Sequence, residues 1–452
     1  MNPRTQPNAR RIALDVLRDV HERGAYASLA LQNRLRESRM APNDRRLATS
    51  IVYTTIEKQN QLDYILDSLM DRPTGDIVQR DILRLSACQI LFHERVPDSA
   101  AVNEGVQLSR AVGMEGASGF INAVLRSLVR QKEQNLIVWP DREKDLAQYL
   151  HIMGNNPEWL IDKLISVYGP ETAEAILMYS KTEHAMVIRP NMLKLTDETF
   201  EAGLRQNPWK WQRGIVPHAY LISGASDIET DEDYQRGMFS IQGQASMLAA
   251  EAVQAKPGMR VLDACAAPGG KSAYLSESMQ DTGRVFAWEL HEKRAALIEA
   301  MKKRLKLENL RVSVRDAQLP KPDMEGTMDA VLLDAPCTGL GVMDEKPDLK
   351  FRLKESDIEP IVKTQASLLD AVSKFVKPGG TLVYSTCSIL PEEGAQQIQR
   401  FLQTHPAFSV KPLPTTYPEA FRQQQTAFGL QLLSFRDHVE GFFIVKMQRQ
   451  LN

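Results

Sequence analysis

Two cysteines lie where a thiol can act on a substrate. Cys337 follows one short apolar run, in Asp334-Ala335-Pro336-Cys337-Thr338-Gly339-Leu340-Gly341, and Cys387 follows the next, in Tyr384-Ser385-Thr386-Cys387-Ser388. If the two runs are adjacent parallel strands, both sulfurs reach one sheet edge. A thiolate is a strong nucleophile and a neighbouring thiol can trade protons with it. With 4 cysteines in 452 residues the chain has no disulfide framework. The other two read differently. Cys88 sits in an apolar helical stretch and belongs to a core. Cys265 sits inside a glycine-rich turn, Asp263-Ala264-Cys265-Ala266-Ala267-Pro268-Gly269-Gly270-Lys271-Ser272, and serves it by backbone contact. Adjacent glycines after a strand let the backbone approach a bound molecule closely. The Gly270-Lys271-Ser272 end matches a phosphate loop and Val331-Leu332-Leu333-Asp334 resembles a magnesium-binding strand, but Cys265 stands where that motif requires glycine. Acids close the following runs. Glu289 lies 19 residues past Gly270, close to the separation at which a carboxylate meets ribose hydroxyls, and Asp316 and Asp334 come after it. Any one of them alone is accounted for as a solvated carboxylate. Three at successive strand ends, facing one glycine-rich loop, suit a cationic nucleoside such as S-adenosylmethionine better than an anionic triphosphate.

The elements that must position these residues are legible in the hydrophobic pattern. At 452 residues, and roughly 150 residues per domain, about three domains are expected. Apolar residues recur at helical spacing through the first 135: Ile12, Ala13, Val16, Leu17 and Val20 before Gly24, then Leu62, Ile65, Leu66 and Leu69, then Ile82, Leu83, Ile90 and Leu91, then Phe120, Ile121, Val124, Leu125 and Leu128. An all-α bundle over 1–135 follows. Around 133 to 155 the regularity fails and Pro140 and Gly154 suggest a linker. Helices near 159–167 and 171–179, a strand at 185–189 and a helix at 197–205 complete a segment over 136–235 that contains a small α/β insert. From 236 to 452, short apolar runs at 260–263, 283–288, 310–314, 328–333 and 380–385 alternate with helical stretches at 292–305 and 357–376. That rhythm predicts an α/β domain with a doubly wound, mostly parallel sheet, whose ligands sit beyond the carboxyl ends of its strands. Hydrophobic residues at 43% and charged residues at 25% fit a folded protein. No run approaches about 18 consecutive apolar residues, and the start, Met1-Asn2-Pro3-Arg4, lacks the apolar core of a secretion signal, so a cytoplasmic location is expected. Charge balances overall, 55 basic against 57 acidic residues, yet residues 1 to 60 carry 11 basic side chains, 10 of them Arg, against 6 acidic ones. Arginine's planar fork suits phosphate, although a solvated helix face explains the same excess.

The Pro-Cys and Thr-Cys pair, together with Asp-Ala-Cys-Ala-Ala-Pro-Gly-Gly-Lys, resembles the RNA cytosine-C5 methyltransferases of the Sun/Fmu class. The helical first domain resembles the NusB-type RNA-binding bundle, so the likeness spans nearly the whole chain. The resemblance implies a seven-stranded, Rossmann-like class I methyltransferase sheet. It implies that Cys265, Ala266, Ala267, Pro268, Gly269, Gly270, Lys271, Glu289, Asp316 and Asp334 line an S-adenosylmethionine site, that Cys387 is the nucleophile, and that Cys337 helps release product. It also implies a 16S ribosomal RNA substrate, naked or in a partly assembled small subunit, with cytosine 967 as target. The chemistry explains two thiols. Cytosine C5 is a poor nucleophile until a thiolate adds to C6, and a base must then remove the C5 proton before the thiolate leaves. Asp334, directed at N3 of the base, would stabilise the charge that develops. DNA cytosine methyltransferases place their nucleophile in Pro-Cys, which nominates Cys337; the Thr-Cys motif that they lack assigns Cys387.

Other features weigh less. Lys346 to Lys350 resembles a family segment near the substrate, but Asp344 and Glu345 before it are acidic where relatives are often basic. Gln242-Gly243-Gln244-Ala245-Ser246 lacks the family's acid at 243. Phe442 and Phe443, in a strand over 440–445, read as core. His21, His93 and His291 each precede a Glu without a second His at metal-binding spacing, so no metal is expected. A paired cytosine hides C5 and C6, so the target is single-stranded or flipped out, and binding through phosphates predicts a steep salt dependence. A monomer without membrane contact is expected. The competing readings are a P-loop NTPase and a non-catalytic RNA-binding assembly factor, under which both cysteines are dispensable.

Overall fold

The computed structural model describes residues 8–38, 40–179, 185–225, 228–346 and 349–451. The start at Met1 to Arg4, and Pro347 and Asp348 of the lysine-bearing segment, lie outside the described residues. The chain forms two compact units, one from Met1–Met178 with Glu345–Lys354, the other from Tyr179–Asp344 with Glu355–Asn452.

In the first unit, helix Ala9–Arg23 begins where the Asn8 side chain accepts the Arg11 N–H and ends at Gly24, whose φ of 64° is the left-handed conformation that glycine adopts without strain. Its buried stripe is Ile12, Ala13, Val16 and Leu17 with Leu14 beside it. Helices Ala27–Glu37, Pro42–Glu57, Gln59–Ser68, Asp98–Ala111 and Ser118–Glu133 surround Ile77–Phe92, which is buried on nearly every side. That central helix carries charge inward. Arg84 donates to Asp63 and Asp81, and Arg80 to Asp63 and Asp67, while His21 pairs with Asp81. Each buried charge has a partner, as a low-dielectric interior demands. Cys88, fully buried on the same helix, has its thiol pushed up to about 12 by burial and is inert core. Where a linker is expected over 133–155, the structure has instead the helix Leu146–Ile152, capped by Asp145. Asn155 then accepts the Asn60 N–H and donates to the Ile56 carbonyl, fixing this stretch to the bundle, and helices Glu158–Tyr168 and Pro170–Met178 follow. The stretch 136–235 is thus shared between the two units.

The second unit holds two sheets. The smaller is antiparallel, made of β1 (Met186–Pro190), β2 (Lys210–Arg213), β3 (Tyr220–Ser223) and β4 (Phe239–Ile241) in the order β2-β3-β1-β4. It packs Ile188, Tyr220, Ile222 and Phe239 against Phe200 and Leu204 of helix Asp197–Leu204. The larger sheet contains β5 (Arg260–Asp263), β6 (Arg284–Glu289), β7 (Leu310–Val314), β8 (Met328–Asp334), β9 (Val376–Thr386), β10 (Phe408–Val410), β11 (Leu430–Leu432) and β12 (Phe442–Arg449). Its main path runs β10-β12-β9-β8-β5-β6-β7, seven strands as expected, with the short β11 as an eighth beside β12. Strands β9-β8-β5-β6-β7 are mutually parallel, whereas β12 returns antiparallel. Layers of apolar side chains cover both faces, which is why the parallel strands read as continuous apolar runs. Phe442 and Phe443 are buried among them.

A buried ion pair ties the smaller sheet to helix Gly270–Ser278, which follows β5 of the larger one. Arg189 on β1 donates to Glu277 at 2.5 Å and to Gln242, with both charged side chains at 0% exposure. Arg189→Met is expected to cost about 3–5 kcal/mol, because it leaves the Glu277 carboxylate buried and unpaired. Adding Glu277→Leu should recover most of that loss. Urea unfolding of both variants checks the result, and an unchanged midpoint for the single variant would refute it.

Candidate active site

The order β9-β8-β5-β6-β7 sets every candidate along one carboxyl edge. From one side to the other come Cys387 after β9, Asp334 and Cys337 at and after β8, the Asp263–Lys271 turn after β5, Glu289 ending β6 and Asp316 after β7. Asp334 and Ser385 are register partners across β8 and β9. The segments that leave those strands therefore start level, and three and two residues later the sulfurs of Cys337 and Cys387 stand 3.0 Å apart, both as free thiols.

The glycine-rich turn is held by its neighbours. Ala264 N–H donates to Leu332 O on β8, and Ala266 N–H to Trp288 O on β6. Gly269 has φ +111°, a backbone conformation that calls for glycine. Helix Gly270–Ser278 starts immediately after. Beside the turn is a cavity of about 250 Å³ lined by Cys265 to Pro268, Gly270, Lys271, Asp263, Asp334, Gln242 and Ser246.

Its electrostatics are unusual in three places. Lys271 Nζ donates to Asp334 Oδ2 at 2.7 Å and lies 5.3 Å from the centre of the Phe442 ring. Burial pulls the Lys271 ammonium down, but the Asp334 carboxylate more than offsets it, so the lysine is held above its ordinary range. Ser385 Oγ donates to the other Asp334 oxygen at 2.7 Å. Cys337 is held well above the ordinary thiol range, first by its hydrogen bond with Cys387, then by burial and the Glu393 and Asp334 carboxylates. Cys265 is also pushed up, by burial above all, so its thiol keeps its proton.

The third place is Asp263. It is completely buried, its Oδ2 accepts the Ser272 hydroxyl at 2.6 Å, its Oδ1 is buried without a side-chain hydrogen-bond partner, and the residue is among those lining the cavity. Burial pushes it up to about 7. An orphaned acidic oxygen and an acid-lined wall fit a cationic ligand. The same shift gives a sign for stability. Between about pH 4, where the unfolded carboxyl ionises, and pH 7, the folded state holds a proton that the unfolded state has lost. Stability therefore falls as pH rises through that window, by about 1.4 kcal/mol per pH unit from this group at most. Asp263→Asn is expected to flatten that slope. Chemical unfolding at pH 4.5, 5.5 and 6.5, marked at roughly unit spacing within that window, checks it; parallel slopes for variant and parent would refute it.

Glu289 and Asp316 stand at the next two strand ends without lining this cavity. Glu289 is buried, accepts the His291 N–H at 3.0 Å and faces Arg294 at 3.6 Å. Asp316 accepts the Gln318 N–H at 2.9 Å. Sequence reasoning passed over Asp263 and Ser385 because each lies inside a motif whose neighbours carried the argument; their strand-end positions were the available signal. It undervalued Gln242, which lines the cavity and accepts from the buried Arg189. In the first unit, Lys350 donates to the Gly154 carbonyl. Among the described residues no helix is long and apolar enough to cross a membrane, and no group of His, Cys, Asp and Glu is placed to hold a metal ion.

Comparison with known proteins matches two family models, one described as 16S rRNA methyltransferase RsmB/F over residues 250–448 and one as the NusB family over residues 7–130. The chain is 33% identical to a probable ribosomal RNA small subunit methyltransferase B of Bacillus subtilis (strain 168), over 98% of this chain and 99% of that protein. It is 32% identical to a probable ribosomal RNA small subunit methyltransferase B of a Synechocystis species, again over 98% and 99%. Among solved structures, PH0851 is similar at 26% identity and a TM-score of 0.82, covering 99% of this chain and 100% of that one. A methyltransferase homolog protein from Pyrococcus horikoshii is similar at 26% identity and a TM-score of 0.57, covering 66% and 97%.

Proposed function

Because the chain belongs to the RsmB/F family of S-adenosylmethionine-dependent 16S rRNA methyltransferases, we propose that it methylates C5 of a single cytosine, cytosine 967, in 16S ribosomal RNA. The observation that carries the two-thiol reading is the 3.0 Å separation of the Cys337 and Cys387 sulfurs at the carboxyl edge of β8 and β9, next to an acid-lined cavity.

S-adenosylmethionine supplies an electrophilic methyl group on a cationic sulfonium. On this chain, the Cys265–Lys271 turn, Asp263, Glu289, Asp316 and Asp334 would hold the cofactor, the glycines by close approach, Asp263 by a hydrogen-bonding oxygen and the other acids by charge. Cys387 is the nucleophile. Cys337, which is driven upward, keeps its S–H and lies beside Cys387; the Cys387 thiol gives its proton to solvent and the thiolate adds to C6 of an unstacked cytosine. Bonding to C6 removes the Cys387 charge that opposed ionisation of Cys337. Cys337 then gives its proton to solvent and, as a thiolate, takes the C5 proton, or positions the base that does, while the C6–sulfur bond breaks and returns the Cys387 thiolate. Asp334, held between Lys271 and Ser385, would act toward N3 of the base with a proton on its carboxyl, donating it there so that the negative charge built up by thiolate addition is neutralised. The helical unit and the β1–β4 sheet position RNA through phosphate and shape contacts. The protein acts as a monomer in the cytoplasm on naked or partly assembled small-subunit RNA.

Bisulfite sequencing of 16S ribosomal RNA from cells with and without this protein tests the reading. One methylcytosine should disappear, and restoring the protein should return it. An unchanged pattern overturns the proposal, and loss at another cytosine overturns the assignment of the site alone.

A further inference from the structure

We propose that Glu393 is a positioning residue that sets the spacing of the two sulfurs; the inference rests on the two-thiol reading above and adds a component to it. Glu393 closes the short turn Pro391–Glu393 after β9 and is completely buried. Its two oxygens each accept two hydrogen bonds. Oε1 accepts from Thr338 Oγ1 at 2.5 Å and from Ser388 Oγ at 2.5 Å; Oε2 accepts from Thr338 N–H and Gln365 Nε2, both at 2.9 Å. Thr338 is the residue after Cys337, and Ser388 is the residue after Cys387. One carboxylate therefore grips both cysteine loops, one bond past each sulfur-bearing residue.

Its own position is fixed from the sheet. Tyr384 O–H, on β9, donates to the Glu393 carbonyl at 2.8 Å. Gln365, which donates to Glu393, also donates to the Pro336 carbonyl at 2.9 Å and so braces the first loop from the far side of Cys337. A carboxylate has about four acceptor positions, and all are filled, which is what makes its burial tolerable. Short contacts to a charged acceptor are also stronger than neutral ones. None of these hydrogen bonds reaches a sulfur, so Glu393 acts by placing the loops, alongside the through-space effect of its charge in holding the Cys337 thiol up. The loops have two further ties, Gly341 N–H to the Cys387 carbonyl at 3.0 Å and a contact between the Thr338 and Ser388 hydroxyls at 3.2 Å, which should keep the edge folded when the carboxylate is removed but leave Thr338 and Ser388 without their charged anchor.

The variants separate geometry from charge. Glu393→Ala leaves four donors without this acceptor and loosens both loops, which then meet through the Thr338–Ser388 hydroxyl contact and the Gly341–Cys387 backbone bond. Glu393→Gln keeps an oxygen for the two N–H donors and presents an amide to the two hydroxyl oxygens, which can accept, so it should retain most of the spacing. Dibromobimane, which fluoresces only after alkylating two neighbouring thiols, reads that spacing directly in the whole purified protein. A Cys88→Ala/Cys265→Ala background leaves Cys337 and Cys387 as its only targets. The expected result is a several-fold loss of cross-link per folded molecule in Glu393→Ala and near-parental yield in Glu393→Gln. Turnover should follow, with kcat falling on the order of a hundredfold for Glu393→Ala, as for misplacement of reacting groups by about 1 Å, while KM for S-adenosylmethionine stays constant. If Glu393→Ala does not fold, Ser388→Ala, which detaches the second loop alone, decides: reduced cross-linking supports the proposal. Parental cross-linking in a folded Glu393→Ala, or in Ser388→Ala in its place, overturns it. Should the parent cross-link and Glu393→Ala not, while the parent fails to methylate ribosomal RNA, the grip on the loops stands and the functional reading falls.

Discussion

Cys387→Ala is expected to abolish methyl transfer, and Cys337→Ala to leave the protein arrested on its RNA as a covalent adduct. The two results differ because the sulfurs, although 3.0 Å apart, are proposed to act at different steps, Cys387 in bonding to C6 and Cys337 in the release that follows. Cys337 sits under the influence of the Cys387 sulfur, of burial, and of the Glu393 and Asp334 carboxylates, all of which favour its protonated form. On the proposed reading the other sulfur, Cys387, is the nucleophile. Removing a nucleophile from a covalent mechanism costs on the order of 10⁴-fold or more in rate, and without Cys387 no bond to C6 forms at all. Without Cys337 the bond still forms and the methyl group still transfers, but the C5 proton has no acceptor at the site and elimination stalls. Denaturing electrophoresis of protein mixed with labelled ribosomal RNA and S-adenosylmethionine distinguishes the cases. A retained band for Cys337→Ala and none for Cys387→Ala is the expected pattern; the reverse pattern makes Cys337 the nucleophile.

How much of this was legible beforehand depends on the range of the interaction. The strands at 260–263, 284–289, 310–314 and 328–334 stand within a residue of their sequence expectation because a parallel strand buried on both faces shows as an unbroken apolar run. Strand β9 starts at Val376, four residues earlier than expected, since Pro378, Gly379 and Gly380 read as a break. The structure accommodates them at a register shift between Met328 and Ala330 on β8. Helix Leu146–Ile152 escaped notice because seven residues show barely two turns of periodicity, and its Asp145 cap was the usable clue. The proximity of the two thiols followed from motif position once adjacent parallel strands were assumed. The Glu393 contacts did not, nor did the Arg84–Asp63 and Arg189–Glu277 pairs: a buried polar contact across 21 to 88 residues of chain leaves no period in the sequence.

Asp334→Asn is the second substitution with a large expected effect, and it separates two roles that the wild-type geometry superimposes. Asp334 lies at the end of β8 with one oxygen on Lys271 Nζ and the other on Ser385 Oγ, both at 2.7 Å, and it also lines the cavity beside the glycine-rich turn. Asparagine keeps the shape and an acceptor but removes the charge, so the Lys271 ammonium loses the partner that offsets its burial and is pulled back down. If Asp334 acts on the base, thiol addition itself slows. Adduct formation by the Cys337→Ala protein should then fall about 10²–10³-fold when Asp334→Asn is added, the scale seen when one preorganised electrostatic group is removed. Calorimetric binding of S-adenosylmethionine should weaken by less than about tenfold, roughly 1.4 kcal/mol, because Asp263, Glu289 and the turn remain. Loss of cofactor binding with unchanged addition would place Asp334 wholly on the cofactor side. Ser385→Ala supplies the control, since it releases one oxygen of Asp334 without touching the charge: it should reproduce a smaller part of the addition defect and leave Lys271 as it is.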